Sequence, residues 1–168
     1  MERDLLIRKA QAKDLPALTD IYNHYVLNTV ITFDLEPFDV ESRRPWFEQF
    51  ADTGPYRLLV GESDGAVVGY ACSTRFRPKP AYNRSVESSV YLDPACEGRG
   101  FGTQLYEALF EALASEPVHR VYAAMALPND ASRALHFKVG FEALHVMNEV
   151  GFKFGRYVDT EWFEKKLN

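Results

Sequence analysis

The sequence predicts an α+β domain built on a central mixed, mostly antiparallel sheet flanked by helices. Three observations predict it. Asp64-Gly65 stands between two apolar runs, Arg57–Glu62 and Ala66–Ser73, a strong short-range hairpin signal. Val86–Leu92 reads as a strand that feeds a glycine-rich turn, Glu97–Gly102, and then an amphipathic helix. The order along the chain, β-α-α-β-β-β-α-β-α-β-β, places antiparallel strands first and two βα units after them.

Taken in order, Leu5–Arg8 is a short apolar run that predicts a first strand. Asp14–Val26 carries Leu15, Leu18, Ile21, Tyr22 and Tyr25 at helical spacing, with Pro16 in the first turn. Asn28–Phe38 is a loop with Phe33 near its middle. Ser42–Ala51 predicts a second helix with Trp46, Phe47 and Phe50 on one face and Pro45 in or near its first turn. After the hairpin comes a polar loop, Arg75–Arg84, and then the Val86–Leu92 strand. The next helix directs Leu105, Leu109, Ala112 and Leu113 inward. Val118–Leu127 predicts a strand and Ala131–Val139 a short helix closed by Gly140. Phe141–Val150 and Arg156–Phe163 predict the last two strands. No linker or repeat interrupts the chain, so residues 1–168 are expected to form a single domain.

Composition narrows the functions. A formal net charge of −5 argues against general nucleic-acid binding. The two cysteines, Cys72 and Cys96, have no metal-type spacing and fit a reducing cytoplasm, and no metal is expected. The N-terminal stretch lacks the apolar run of an export signal, and no apolar segment has membrane length. A cytoplasmic protein with no membrane or nucleic-acid partner is expected.

A strand leading into a glycine-rich turn at a helix N-terminus makes an anion site from backbone alone, because the first helical N–H groups have no intrahelical partner. The spacing of Gly98, Gly100 and Gly102 fits neither the dinucleotide fingerprint nor a P-loop, since no G-K-[ST] follows. Glu87 stands in the strand V-E-S-S-V-Y-L that leads to this turn. It reads either as a solvated strand residue or as a general base. Arg75, Arg77, Lys79 and Arg84 cluster around Phe76 and Tyr82, and read as a solvated loop or as a clamp for an anionic substrate. Asn129-Asp130-x-Ser132 reads as a helix cap. His136 lies on that helix, either as a packed ring or as a proton donor to a leaving group. Cys96 has no base beside it in sequence and reads as a packing residue.

These motifs resemble the GNAT superfamily of N-acetyltransferases. The turn Glu97-Gly98-Arg99-Gly100-Phe101-Gly102 matches the superfamily pattern [Q/R]-x-x-G-x-[G/A], with Glu97 where Gln or Arg is usual. Asn129, His136 and Gly140-Phe141 match its second motif, with His136 where many members carry Tyr. Ile21–Val26, Thr32-Phe33, Ala81–Leu92, Leu127–His136 and Val150–Asp159 resemble the phosphinothricin and methionine sulfoximine acetyltransferases over nearly the whole chain. Within that family's loop, Phe76 replaces a frequent Trp and Pro80 is not typical.

The resemblance implies direct acetyl transfer from acetyl-CoA to the primary amine of a small amino-acid-like substrate, in a homodimer. It implies Glu87 and His136 as the catalytic pair, and an acceptor site formed by Phe33, Phe76, Arg77, Pro78, Tyr82, Val86, Glu87 and Ser88. It implies a cofactor site formed by Ser89, Val90, Tyr91, Leu92, the turn Glu97, Gly98, Arg99, Gly100, Phe101 and Gly102, then Thr103, Asn129 and Ser132. Acetylation of peptide or protein amines, or acyl-CoA binding without catalysis, are the alternatives.

Overall fold

The structure is a computed structural model and describes residues 5–168. Met1–Asp4, the start of the stretch read above as lacking an export signal, lie outside the described residues. Seven strands form one sheet in the order β1-β2-β3-β4-β5-β7-β6. The strands are β1 (Leu6–Lys9), β2 (Leu58–Ser63), β3 (Ala66–Arg75), β4 (Ser85–Leu92), β5 (Arg120–Ala126), β6 (Glu142–Lys153) and β7 (Arg156–Lys166). Every neighbouring pair is antiparallel except β4–β5. The mixed, mostly antiparallel sheet that the sequence predicts is therefore the one observed.

The β2–β3 hairpin turns at Asp64 and Gly65, whose φ values of 53° and 78° are both left-handed. That is the geometry a two-residue turn needs to match strand twist, and why an Asp-Gly pair sits there. Helices α1 (Leu15–Asn28) and α2 (Val40–Phe47) cover one face of the sheet. There Leu18, Ile21 and Tyr25 pack on Leu58, Val60, Tyr70 and Cys72. Helices α3 (Phe101–Leu113) and α4 (Asp130–Lys138) cover the other. Leu105, Leu109 and Leu113 pack there on Val86, Val121, Ala123 and Phe163. Side chains alternate along each strand, so Leu59 joins the α3 core while its neighbours Leu58 and Val60 join the α1 core.

Several boundaries differ from expectation. Helix α2 begins at Val40, capped by Asp39 accepting from the Ser42 N–H at 2.7 Å, so Pro45 lies inside the helix rather than in its first turn. The last two strands run longer than their apolar patterns, to Lys153 and Lys166. They are joined by a tight turn at Phe154 (φ 51°) and Gly155 (φ 72°).

The feature that positions the site is the β4–β5 junction. Only Ser85, Val86 and Glu87 pair with β5, opposite Arg120, Val121 and Tyr122. Beyond them β4 stays with β3 as far as Gly69↔Leu92, and β5 stays with β7 as far as Ala126↔Thr160. The two strands therefore part, leaving facing edges unpaired.

Gly69 fixes the end of β4. A Cβ there would fall 2.5 Å from Leu92 Cδ2 and 2.9 Å from the Tyr91 carbonyl oxygen, and backbone cannot give way as a side-chain tip can. Gly69→Ala is expected to destabilise the protein by about 1–3 kcal/mol, the usual cost of overpacking. Urea unfolding checks this, and an unchanged midpoint would mean that the two strands are not held this close.

Candidate active site

Two cavities meet near the parted strands, with Tyr91 in the wall of both. The first, of about 440 Å³, is lined by Val90, Tyr91 and Leu92 of β4, by Glu97, Gly98, Gly100, Gly102 and Thr103, and by Asn129, Ser132 and Leu135 of the α4 end. Tyr25 and Ile31 close it from the α1 side. Gly98 and Gly100 have φ of 76° and 78°, the left-handed region that favours glycine, and they turn the chain so that α3 starts at the cavity. No side chain caps α3. The N–H groups of Phe101, Gly102 and Thr103 thus head the helix without intrahelical acceptors, an arrangement built for an anion. Gly102 is close-packed, since a Cβ would lie 3.1 Å from Leu135 Cδ2. At the far wall the Asn129 side chain caps α4 by accepting from the Ser132 N–H at 3.1 Å.

Ten of the thirteen expected cofactor residues line this cavity. The exceptions are Ser89, which faces the second cavity, Arg99, and Phe101, which is buried against Val68 and Cys96. Glu97, the odd residue of the turn, has a partner. The Tyr25 hydroxyl stands 2.6 Å from the Leu92 carbonyl and 3.2 Å from Glu97 Oε1, donating to this pair of acceptors. Burial, reinforced by that carboxylate, holds the Tyr25 pKa well above its ordinary value. Glu97 is therefore drawn toward α1 at the edge of the phosphate cradle.

The second cavity, of about 410 Å³, lies on the α1/α2 face and is lined by polar groups, among them Asp34, Arg43, Thr74, Arg75 and Ser89. Glu87 projects from this same face, one row along β4 from Ser89, directly opposite Thr74 of β3 and Tyr122 of β5. Burial raises the Glu87 carboxyl pKa, and the nearby Arg77 guanidinium pulls it partly back. A carboxyl whose pKa is raised in this way is a stronger base than a solvated one. Beyond Glu87 the wall is aromatic. Phe76 stacks on Tyr122 with ring centroids 4.4 Å apart, meets Tyr82 at 6.0 Å and Trp162 at 6.4 Å, and carries the Arg77 guanidinium 4.7 Å from its own ring.

The expected acceptor residues divide. Phe76, Arg77 and Tyr82 gather on the Glu87 side. Val86 and Ser88 point the other way: Val86 is in the α3 core, and the Ser88 hydroxyl donates to the Tyr122 carbonyl at 3.4 Å. These two can offer an acceptor only their backbone. Pro78 is an exposed residue of the loop. Phe33 lies over the β6–β7 hairpin, where a Cβ on Gly151 would come within 2.3 Å of its ring, and the buried Lys153 ammonium ties the neighbouring Thr32 carbonyl at 2.8 Å. The Phe33 loop is thereby fastened over both cavities, with Ile31 at one and Asp34 at the other.

The structure does not bring Glu87 and His136 together. His136 is on the opposite face of the sheet, stacked on Phe163 with centroids 5.0 Å apart, and it lines neither cavity. Its Nδ1–H donates to the Ser132 carbonyl at 2.6 Å, which leaves Nε2 to accept from the Tyr106 hydroxyl at 3.3 Å. Burial lowers its pKa and keeps the ring neutral. Sequence reasoning also missed Tyr22, Arg43, Trp46 and Tyr70, whose part in the second cavity depends on α2 docking over β3.

Glu97 supplies a negative charge where the turn is built for an anion. Glu97→Gln is expected to tighten acetyl-CoA binding about two- to fivefold, the ~0.4–1 kcal/mol scale of an exposed charge pair, with the gain shrinking at high salt. Calorimetric titration at two ionic strengths checks this; weaker binding would mean that the Tyr25–Glu97 contact itself shapes the turn.

Comparison with known proteins bears on both cavities. The sequence profile of the Acetyltransferase (GNAT) family matches residues 18–141. The chain is 49% identical over 166 residues to a phosphinothricin N-acetyltransferase of Streptomyces coelicolor, covering 98% of this chain and 97% of that one. It is 37% identical over 162 residues to an L-methionine sulfoximine/L-methionine sulfone acetyltransferase of Pseudomonas aeruginosa, covering 96% and 94%. A phosphinothricin acetyltransferase of Sinorhizobium meliloti, solved in complex with acetyl-CoA, superposes with a TM-score of 0.92 at 34% identity, covering 100% of this chain and 90% of that one. With a cradle fit for a pyrophosphate beside a half-buried carboxyl and a polar pocket, this chain belongs to the GNAT family of acetyl-CoA-dependent N-acetyltransferases.

Proposed function

We propose that this enzyme acetylates the primary amine of a small amino-acid-like acceptor of the phosphinothricin, methionine sulfoximine or methionine sulfone kind, by direct transfer. The observation that carries this reading is the placement of Glu87. Burial raises the pKa of its carboxyl. It also stands at the last rung before β4 and β5 part.

In this reading acetyl-CoA lays its pyrophosphate on the Gly98–Thr103 backbone and its arm along the unpaired edge of β4, so that the thioester arrives beside Ser88–Val90. The acceptor enters from the opposite, polar cavity. Glu87 takes a proton from the ammonium, directly or through one water. The free amine then attacks the thioester carbon, and a β4 N–H at Val90 or Tyr91 stabilises the tetrahedral oxyanion. Collapse breaks the C–S bond, and the proton that the newly bonded nitrogen sheds passes to the leaving thiolate, giving the neutral amide and free thiol. Holding amine and thioester together contributes ~7–11 kcal/mol of barrier lowering in well-oriented systems. His136 acts here through Tyr106 as a positioning residue behind β4. Cys96 is buried on the α3 side and takes no part.

We place the protein in the cytoplasm, where its two buried free thiols stay reduced. We also assign it a homodimer, supported by the outer hairpin. Leu144, Val146, Met147, Val150, Phe152, Phe154 and Tyr157 of β6, β7 and their turn are all exposed, and clustered exposed apolar side chains of this kind mark interaction surfaces. Sedimentation equilibrium is expected to give a dimer, and Phe152→Glu a weakened or monomeric form; a monomeric wild type would overturn this part.

Glu87→Gln is expected to lower kcat by about 10²–10⁴-fold with phosphinothricin as acceptor, the range for loss of a general base. In the wild type kcat should rise with pH through the raised Glu87 pKa and then level, and this acid limb should vanish in the variant. The same substitution should raise Tm at neutral pH. The folded pKa lies above the unfolded one, so stability is full below the unfolded value and falls as pH rises through the folded value. Wild-type turnover in the variant would remove Glu87 as the base.

A further inference from the structure

The floor of the polar cavity carries two buried donors with nothing to donate to. Arg43 is 6% exposed, and its guanidinium is held between two rings, with Cζ 3.9 Å from the Tyr22 centroid and 3.9 Å from that of Trp46. Among the described residues no carboxylate pairs with it, and its Nε has no hydrogen-bond partner. The Tyr70 hydroxyl is also buried and unpartnered, and its ring meets Trp46 at 5.7 Å. Both residues line the one cavity. Orphaned buried donors are rare because each forgoes the hydrogen bond it would make in water. Here two converge.

The surroundings say what they await. Stacking occupies the two faces of the guanidinium, while its N–H groups lie in the plane and remain free to donate at the edge. Asp34, the nearest candidate counter-charge in the cavity, is already engaged by the Tyr22 hydroxyl. Arg75 lies at the exposed rim and adds positive charge. The missing complement is an oxyanion or a strongly polar oxygen pair, which a guanidinium edge holds through Nε and one Nη.

Position fixes which part of an acceptor this is. The cross-strand pairs Thr74–Glu87, Cys72–Ser89 and Tyr70–Tyr91 follow one another on this face. Rows on one face of a strand are ~7 Å apart. The Tyr70 row is two rows from Glu87, and Arg43 interacts electrostatically with both Cys72 and Tyr70. A carboxylate on the carbon that bears the amine would remain near the reacting row. A group several bonds farther along the acceptor side chain would reach the two donors.

We propose that Arg43 and Tyr70 form the seat for the oxygen-bearing head at the far end of the acceptor side chain, and so set the enzyme's preference for phosphinate- or sulfone-type acceptors over plain aliphatic amino acids. This rests on the acetyl-transfer reading for its substrate class. Its test includes a binding measurement that needs no turnover.

Phosphinothricin, which has such a head, and norvaline, which lacks it, are compared in wild type, Arg43→Gln and Tyr70→Phe. kcat/KM is taken from thiol release and Kd from calorimetry without acetyl-CoA. The phosphinothricin-to-norvaline ratio is expected to fall at least tenfold in Arg43→Gln, through KM rather than kcat, and about threefold or more in Tyr70→Phe. The Kd ratio should fall in parallel, with acetyl-CoA affinity within twofold of wild type. Tyr70→Phe removes only an unpartnered hydroxyl and should fold whether or not Arg43→Gln does. An unchanged ratio in Tyr70→Phe, or a parallel loss for both acceptors in Arg43→Gln, would overturn the seat. So would a wild type that binds the two acceptors equally. A wild type that binds phosphinothricin selectively yet acetylates no amine would support the seat while removing the acetyl-transfer reading.

Discussion

The loss of the β4–β5 ladder after Glu87 is the constraint on which the rest depends. Three paired rungs bring Glu87 level with Tyr122, and then each strand follows its outer partner. Had the ladder continued, the edge of β4 would be satisfied by β5 and no extended ligand could lie along it. Because it stops, backbone N–H and C=O groups are left facing a gap, and unpaired backbone groups seek partners. Gly69 lets Leu92 close down on β3, so β4 keeps its line while β5 diverges. The first cavity lies along the freed end of β4 and the second over β3 and β4 on the α1/α2 face, with Tyr91 as their common wall.

The two sides of the gap have opposite chemistry. On one, a glycine turn supplies N–H groups and a helix end, an arrangement that would hold a phosphate-bearing ligand mostly by backbone. Side chains are secondary there, which is why the turn accommodates Glu97 once Tyr25 holds its carboxylate aside. On the other side the donors are side chains held by aromatic packing: Arg43 between Tyr22 and Trp46, and Phe76 on Tyr122. Backbone recognition tolerates sequence change, whereas ring-packed recognition does not. On the proposed reading, the acceptor side is where this chain sets its own specificity.

Much of this was legible in the sequence because it is local. The Asp64-Gly65 hairpin, the strand–glycine turn–helix unit and the Asn129 cap each depend on a few adjacent residues. What was not legible depends on which face of the sheet a residue occupies once distant strands pair. His136 and Glu87 each stand at the position that their motif predicts, yet strand alternation and the packing of α4 place them on opposite faces. Val86 and Ser88 flank Glu87 and for the same reason point into the α3 side. Arg43 lies in a polar run, R-R-P-W, that gives no sign of burial. Its seclusion comes from Trp46 of α2 packing on Tyr70, a contact between residues 24 positions apart in chain order.

Direct transfer across the gap requires both substrates to be present together, and single-turnover kinetics tests this most directly. With enzyme in excess over acetyl-CoA, free thiol and protein mass are followed with and without phosphinothricin. Thiol should appear only when the amine is present, in step with acetylated product and with no acetyl increment on the protein. Thiol released before amine is added, together with an acetylated chain, would contradict it.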